Sequence, residues 1–285
     1  MAIMNTTPHR PSNRALENLG IWRSYNQSKY LSIKHDSYFL VYEELLKKYV
    51  GKPITFVEVG VLNGGSLFMW RDFFGAEARI IGVDLNPLAK KWEKDGFEIF
   101  IGSQSDRRFW DEFFRQVGPV DILLDDGGHT NPQQILTTVA AIDHINDGGL
   151  LIVEDVHTSY FKDFGNPSKY SFISFAKRVV DSINSRFPSV NDVKNAYGKK
   201  VFSISFYESI VAFRIDSTKC FESKLTSNYG ESSGAADMRD TGTVRGMLSN
   251  KFGFLKNLPF KDSISAIVFG LMAKISSRKL KKLFN

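Results

Sequence analysis

The chain has 285 residues, of which 42% are hydrophobic and 24% charged. These are ordinary values for a globular chain long enough to bury a sizeable core. Cys220 is the single cysteine, so no intramolecular disulfide can form, which suits a reducing compartment. The net charge of +6 is uneven: residues 251–285 hold eight Lys/Arg against one acid, Asp262. That segment carries +7, so by subtraction the rest carries about −1, and the core is not expected to bind nucleic acid. The polar N-terminus lacks an apolar signal-peptide run, and no apolar stretch approaches the ~20 residues that span a bilayer. A cytoplasmic protein is expected.

Residues 1–30 are polar, with Pro8, Pro11 and Asn13, and are expected to be partly irregular. Tyr38, Leu40, Val41, Leu45, Leu46 and Tyr49 follow helical spacing up to Gly51. A regular alternation then begins. Strands are predicted at 54–61, 79–85, 97–101, 121–125 and 150–154, and helices at 65–74, 106–116, 131–145 and 168–185. Residues 201–215 read as two strands around a turn near Glu208. Strands alternating with helices predict an α/β fold, a doubly wound, Rossmann-like, mostly parallel seven-stranded sheet with helices on both faces. The closing pair, with no helix between its members, predicts a final antiparallel hairpin.

The first strand ends in Val57-Glu58-Val59-Gly60 and continues through Asn63-Gly64-Gly65-Ser66. In open α/β sheets ligands bind beyond the carboxyl ends of the strands, at the reversal of strand order. Glycines there admit close backbone approach, and the helix starting near Ser66 offers free N–H groups to an anion such as an amino-acid carboxylate. Glu58 complements a cationic group. Asp84 ends the second strand, where a carboxylate can accept two ribose hydroxyls. That geometry is shared with nicotinamide sites, but the G-x-G-x-x-G fingerprint is absent and the order is Gly60-x-x-x-Gly64-Gly65. S-adenosylmethionine, with a carboxylate, a cationic centre and a ribose, fits these positions. After the third strand, Ser103 and Gln104 are placed to bond its adenine, while Asp106 is expected to cap the next helix.

The fourth strand ends in Asp125-Asp126-Gly127-Gly128-His129 and the fifth in Glu154-Asp155-Val156-His157. These ends are expected to be neighbours, so four carboxylates would converge. Like charges that close require a cation or protons, and an oxygen-rich site suits Mg²⁺ or another hard divalent ion. Asp125 is an alternative contact for the methyl donor, and His157 is expected to be structural or supporting. Asp121 and Asp143 are expected to be solvated or capping. No pattern of two histidines and one carboxylate that would hold iron is visible along the chain.

The strings Phe56-Val-Glu-Val-Gly-Val-Leu-Asn-Gly-Gly-Ser-Leu, Asp125-Asp-Gly-Gly-His-Thr and Gly148-Gly-Leu-Leu-Ile-Val-Glu-Asp-Val-His-Thr-Ser-Tyr together resemble the metal-dependent sugar O-methyltransferases of macrolide biosynthesis, the macrocin and mycinamicin type. The resemblance runs from about Lys34 to Ile215. It implies S-adenosylmethionine as methyl donor, a divalent ion held by Asp126, Glu154 and Asp155, and His129 as general base. It also implies a sugar-bearing acceptor with adjacent hydroxyls, and a homo-oligomer. On this reading residues 1–50 form an N-terminal helical, substrate-side segment and residues 51–216 the donor-binding core. Residues 217–285 form a linker and a basic C-terminal helix. The basic tail departs from the macrolide enzymes and favours a surface glycan or lipid-linked saccharide as acceptor. Competing readings are a catechol-like O-methyltransferase and a non-catalytic donor- or glycan-binding protein.

In the tail, Ile264, Ile267, Val268, Leu271, Met272 and Ile275 recur at helical spacing, followed by Lys274, Arg278, Lys279, Lys281 and Lys282. Two readings stay open: a helix packed on the domain or a partner subunit, or peripheral contact with an anionic membrane at its inner face.

Overall fold

The structure is a computed structural model that describes residues 14–188, 190, 196–235, 238 and 270. The chain divides into two units, Met1–Lys224 and Leu225–Asn285, and the fold described below is that of the first. The helix expected at 261–284 lies outside the described residues, apart from Gly270.

Five parallel strands form the centre of the sheet: β1 (Thr55–Val59), β2 (Arg79–Asp84), β3 (Glu98–Ile101), β4 (Val120–Asp125) and β5 (Ile145–Val153). A hairpin of β6 (Val201–Tyr207) and β7 (Ile210–Ile215) completes it, with β7 antiparallel to both β5 and β6. The strand order is β3-β2-β1-β4-β5-β7-β6. The expected seven-stranded, mostly parallel Rossmann-like sheet is therefore observed, and its order reverses between β1 and β4.

The pleat sorts the strand side chains onto two cores. Phe56, Ile80, Ile122, Leu124, Leu150 and Ile152 face one side, covered by α2 (Gly20–Gln27), α3 (Asp36–Leu46) and α4 (Gly65–Phe74). Val57, Val59, Ile81, Val83, Leu123, Leu151 and Val153 face the other, under α5 (Arg107–Val117), α6 (Asn131–Ala141) and α7 (Phe172–Asn184). Strands buried on both faces explain the continuous apolar runs that made them legible in the sequence.

The structure refines the sequence reading at three places. The N-terminal segment is partly irregular, as at residues 28–35, but α1 (Arg14–Glu17) and α2 form within it, with Leu16, Ile21 and Trp22 buried. Trp22 and Tyr25 both pack on the Phe39 ring of α3, so tertiary burial, not local propensity, holds these short helices. A 3₁₀ segment, Pro87–Asp95, follows β2; Pro87 at its first position and the Asn86 side chain accepting from Leu88 N (3.0 Å) start it. Finally, β5 begins at Ile145, earlier than expected, because Ile145 pairs with Val120 across an irregularity in the ladder. Asp106 caps α5 as expected, accepting from Arg108 N at 2.9 Å. Asp121 caps no helix; it accepts from Thr55 N at 2.8 Å and from Asn146 Nδ2 at 2.9 Å, tying the start of β4 to β1 and β5.

Candidate active site

The reversal between β1 and β4 brings the ends of β1, β2, β4 and β5 to one edge of the sheet. The loop leaving β1 is tightly folded. Gly60 has φ +93°, and a Cβ there would lie 2.1 Å from the Asp126 carbonyl oxygen, so only glycine lets the β1 and β4 loops cross. Gly64 (φ +78°) similarly makes room for the Trp92 indole. These two glycines clear space for the protein's own atoms. Asp84 sits beside this loop: Oδ2 accepts from Val61 N (2.8 Å) and Leu62 N (3.0 Å), and Oδ1 accepts from Asn86 N (2.7 Å). The carboxylate is half-buried and keeps acceptor capacity toward solvent on Oδ1.

Several residues expected to meet the donor instead bond inward. Glu58 alternates with Phe56 on the α4 face of the sheet and is fully buried. Its oxygens accept from Ser66 Oγ (2.6 Å) and Trp70 Nε1 (3.0 Å), which also occupies the Ser66 hydroxyl. Gln104 is buried and joins three elements: Nε2 donates to Asp125 Oδ1 (3.0 Å) and Thr137 Oγ1 (3.1 Å), and Oε1 accepts from Gly128 N (2.7 Å). It therefore fixes the β4 loop and has little capacity left for an adenine. Ser103 is half-buried, with Oγ accepting from Ser105 N (3.2 Å). Asp125 Oδ1 also accepts from Gly127 N, while Oδ2 is buried with no hydrogen-bond partner. A buried carboxylate oxygen of this kind calls for a donor group or a proton. Burial pushes the Asp125 pKa up to about 6.

Burial likewise pushes Glu58 up to about 7 from an ordinary 4.5, against the attraction of Lys34 and the bonds from Ser66 and Trp70. Folding thus raises the affinity of Glu58 for its proton. The resulting stabilisation is fully present below about pH 4.5 and is lost as pH rises through about 7. A shift of this size corresponds to ~3 kcal/mol. Urea melts from pH 5 to 8 in EDTA are expected to show stability falling with pH, and Glu58→Gln should make that fall shallower by about this amount. Equal slopes for the two proteins would refute the assignment.

The acidic cluster contains a cation that the sequence reading missed. Lys34 Nζ lies 2.6 Å from Asp126 Oδ2, 2.9 Å from Glu154 Oε2 and 3.9 Å from Glu58 Oε1, and its side chain is 2% exposed. Burial opposes its charge, but Asp126 and Glu154 outweigh this and hold its pKa well above that of an ordinary lysine. Glu154 is fully buried, and its other oxygen accepts from Tyr42 OH. Burial first, and the neighbouring carboxylates second, raise the pKa values of Glu154 and Asp126. Tyr38 and Tyr42, spaced by four, share one face of α3, while Lys34 reaches the cluster from the extended segment just before that helix.

Asp155 follows β5 in a left-handed conformation (φ +53°), as does His129 after β4 (φ +58°). His129 Nε2 is 3.3 Å from Asp155 Oδ2, and Thr158 Oγ1 donates to the His129 carbonyl at 2.8 Å. Tyr38 OH donates to Asp155 Oδ1. Asp126, His129 and Asp155 each place a ligand atom within 4.8 Å of the other two. The two carboxylates, half-buried in surroundings richer in acid than Lys34 alone offsets, fit a hard divalent ion, with the His129 imidazole alongside them. Glu154, the third expected ligand, is turned to Lys34 and Tyr42. A second group, His35, Asp155 and His157, meets the same 4.8 Å criterion. It is the two-histidine, one-carboxylate set not visible in the sequence, because His35 reaches it from the N-terminal segment.

Residues 57–156 match the family described as a methyltransferase domain. Among curated proteins, the mycinamicin VI 2''-O-methyltransferase of Micromonospora griseorubida is 31% identical over 59% of this chain and 46% of its own length. A tetracenomycin-C rhamnosyl 2'-O-methyltransferase of Streptomyces olivaceus is 29% identical over 56% of this chain and 46% of its own. The chain thus spans less than half the length of these relatives. Among solved structures, the MycE methyltransferase of the mycinamycin pathway, in complex with Mg and SAH, superposes with a TM-score of 0.61 at 25% identity. The match covers 70% of this chain and 54% of that one. A second crystal form gives 0.64 over 76% and 60% at 23% identity. The resemblance read from the three motifs is therefore matched in both sequence and fold. No helix among the described residues is long and apolar enough to cross a membrane.

Proposed function

We propose that this protein is a metal-dependent, S-adenosylmethionine-dependent O-methyltransferase acting on a hydroxyl of a sugar-bearing acceptor. The observation that carries this reading is the convergence of Asp126, His129 and Asp155 at the strand ends of a methyltransferase domain. The curated relatives, which are named as O-methyltransferases of glycosylated natural products, supply the acceptor class. A glycan or glycolipid fits that class as well. The same reading includes a homo-oligomer and leaves the basic tail to pack on the domain, on a partner or on a membrane.

In this reading Asp84 accepts from the donor's ribose, the N-terminus of α4 receives its carboxylate, and the unpartnered oxygen of Asp125 accepts a donor N–H. Asp126 and Asp155 hold the divalent ion, and Glu154 joins them by exchanging its Lys34 partner. The bound ion supplies Lewis acidity that lowers the pKa of a sugar hydroxyl and fixes it in place, and the bound donor supplies an activated methyl group. His129 takes the hydroxyl proton, and Asp155 orients its imidazole and stabilises the charge it acquires. Alignment of oxygen and methyl carries much of the rate.

Calorimetric titration of S-adenosylmethionine with and without Mg²⁺ tests this reading. Donor binding is expected to survive EDTA, and Asp84→Ala should weaken it about 10- to 100-fold, the range for a lost hydrogen bond to a charged group. Absence of binding in both conditions would overturn the proposal.

A further inference from the structure

The group His35, Asp155 and His157 is not accounted for by methyl transfer. His35 immediately precedes α3, and its exposed side chain has no hydrogen bond among the described residues. His157 lies in the turn after β5. The two rings are 5.7 Å apart between centroids and perpendicular. Imidazoles sharing one tetrahedral ion at about 2.0–2.1 Å have centroids roughly 5 Å apart, so the pair needs only a small adjustment to close on one ion.

The surroundings orient both inner ligands. His157 Nδ1 is paired with Ser209 Oγ and lies 3.8 Å from Asp155 Oδ1, which leaves Nε2 without a hydrogen-bond partner among the described residues. Ser209 Oγ donates to the Tyr38 hydroxyl oxygen at 2.7 Å, and the Tyr38 hydroxyl gives its one proton to Asp155 Oδ1. Val156 N donates to the Ser209 carbonyl at 3.1 Å, tying the two loops together. Metal-bound histidines are characteristically held in this way, with the second ring nitrogen engaged and the carboxylate itself hydrogen-bonded.

We infer that His35, Asp155 and His157 form a second metal site, for a divalent transition ion that accepts imidazole, next to the oxygen-rich group of Asp126. Imidazole donors select Zn²⁺, Fe²⁺ or Co²⁺ over Mg²⁺, which takes oxygen ligands and demands octahedral geometry. Asp155 belongs to both groups and would bridge two ions, an arrangement that places paired metals about 3.5–4 Å apart. The inference does not depend on the methyl-transfer reading, since donor binding and metal binding are measured separately.

The test is a Co²⁺ titration of the full chain in saturating Mg²⁺, followed by visible absorption and calorimetry. One equivalent of Co²⁺ is expected to bind with ligand-field bands. His35→Ala and His157→Ala should each weaken it at least 10-fold, while His129→Ala retains it. Because His35 is exposed, its variant is expected to keep the wild-type circular dichroism, so loss of Co²⁺ there reports ligation. Complete displacement of Co²⁺ by Mg²⁺, wild-type titrations for His35→Ala and His157→Ala, or loss in His129→Ala alone would each overturn the second site.

Discussion

Replacing His129 by alanine is expected to cut turnover about 10²- to 10⁴-fold, the range for loss of a positioned general base, while donor affinity stays unchanged. The geometry supports a large effect. The imidazole is 27% exposed, so an acceptor hydroxyl can reach it, and its Nε2 lies 3.3 Å from Asp155 Oδ2. A base oriented by a carboxylate in this way is held in one tautomer and gains stabilisation as it takes a proton. The left-handed backbone at residue 129 (φ +58°) complicates alanine, which adopts that region at a cost. Asparagine tolerates it better, so His129→Asn keeps the loop while removing the base. Both variants should bind S-adenosylmethionine with wild-type affinity by calorimetry, and added imidazole should restore part of the turnover of His129→Ala. Wild-type turnover in His129→Asn would remove the residue from the reaction.

The elements that the sequence made legible are those whose pattern is local. Continuous apolar strands, Asp106 and the helix opening at Gly65 all stand where periodicity and capping place them. The carboxylates at 125–126 and 154–155 were legible as a cluster because parallel strands must end together at one edge. What stayed hidden depends on tertiary partners. Glu58 reads as a free acid at a strand end, yet its place in the pleat turns it onto Ser66 and Trp70. Gln104 reads as a ligand contact, yet its amide is used up bracing the β4 loop. Lys34 and His35 precede any strand and carry no motif. Only the packing of α3 against the sheet brings one to the buried carboxylates and the other beside His157. The i, i+4 spacing of Tyr38 and Tyr42 was the available signal, two hydroxyls on a helix face that is otherwise apolar, whereas Lys34 lies before the helix and carried none.

Lys34→Met is expected to lower stability in EDTA by about 3–5 kcal/mol, the cost of removing one partner from a buried ion pair, and at the same time to tighten Mg²⁺ binding at least 10-fold. Both effects follow from one position. The ammonium lies between Asp126 Oδ2 (2.6 Å) and Glu154 Oε2 (2.9 Å), two of the carboxylates expected to hold the divalent ion, and a dication cannot take both oxygens while Lys34 retains them. Without the ion, Lys34 is the positive charge that offsets the repulsion between buried Asp126 and Glu154. Methionine fills the space of the lysine stem but leaves the acids to repel each other or take up protons. Mg²⁺ then supplies the missing charge without first displacing a resident cation, so thermal melts of the variant should gain more from Mg²⁺ than those of the wild type. A variant as stable as the wild type in EDTA would show that the ion pair contributes nothing net. Unchanged Mg²⁺ affinity would place the ion wholly on the Asp126–Asp155 side, with Glu154 committed to Lys34 throughout.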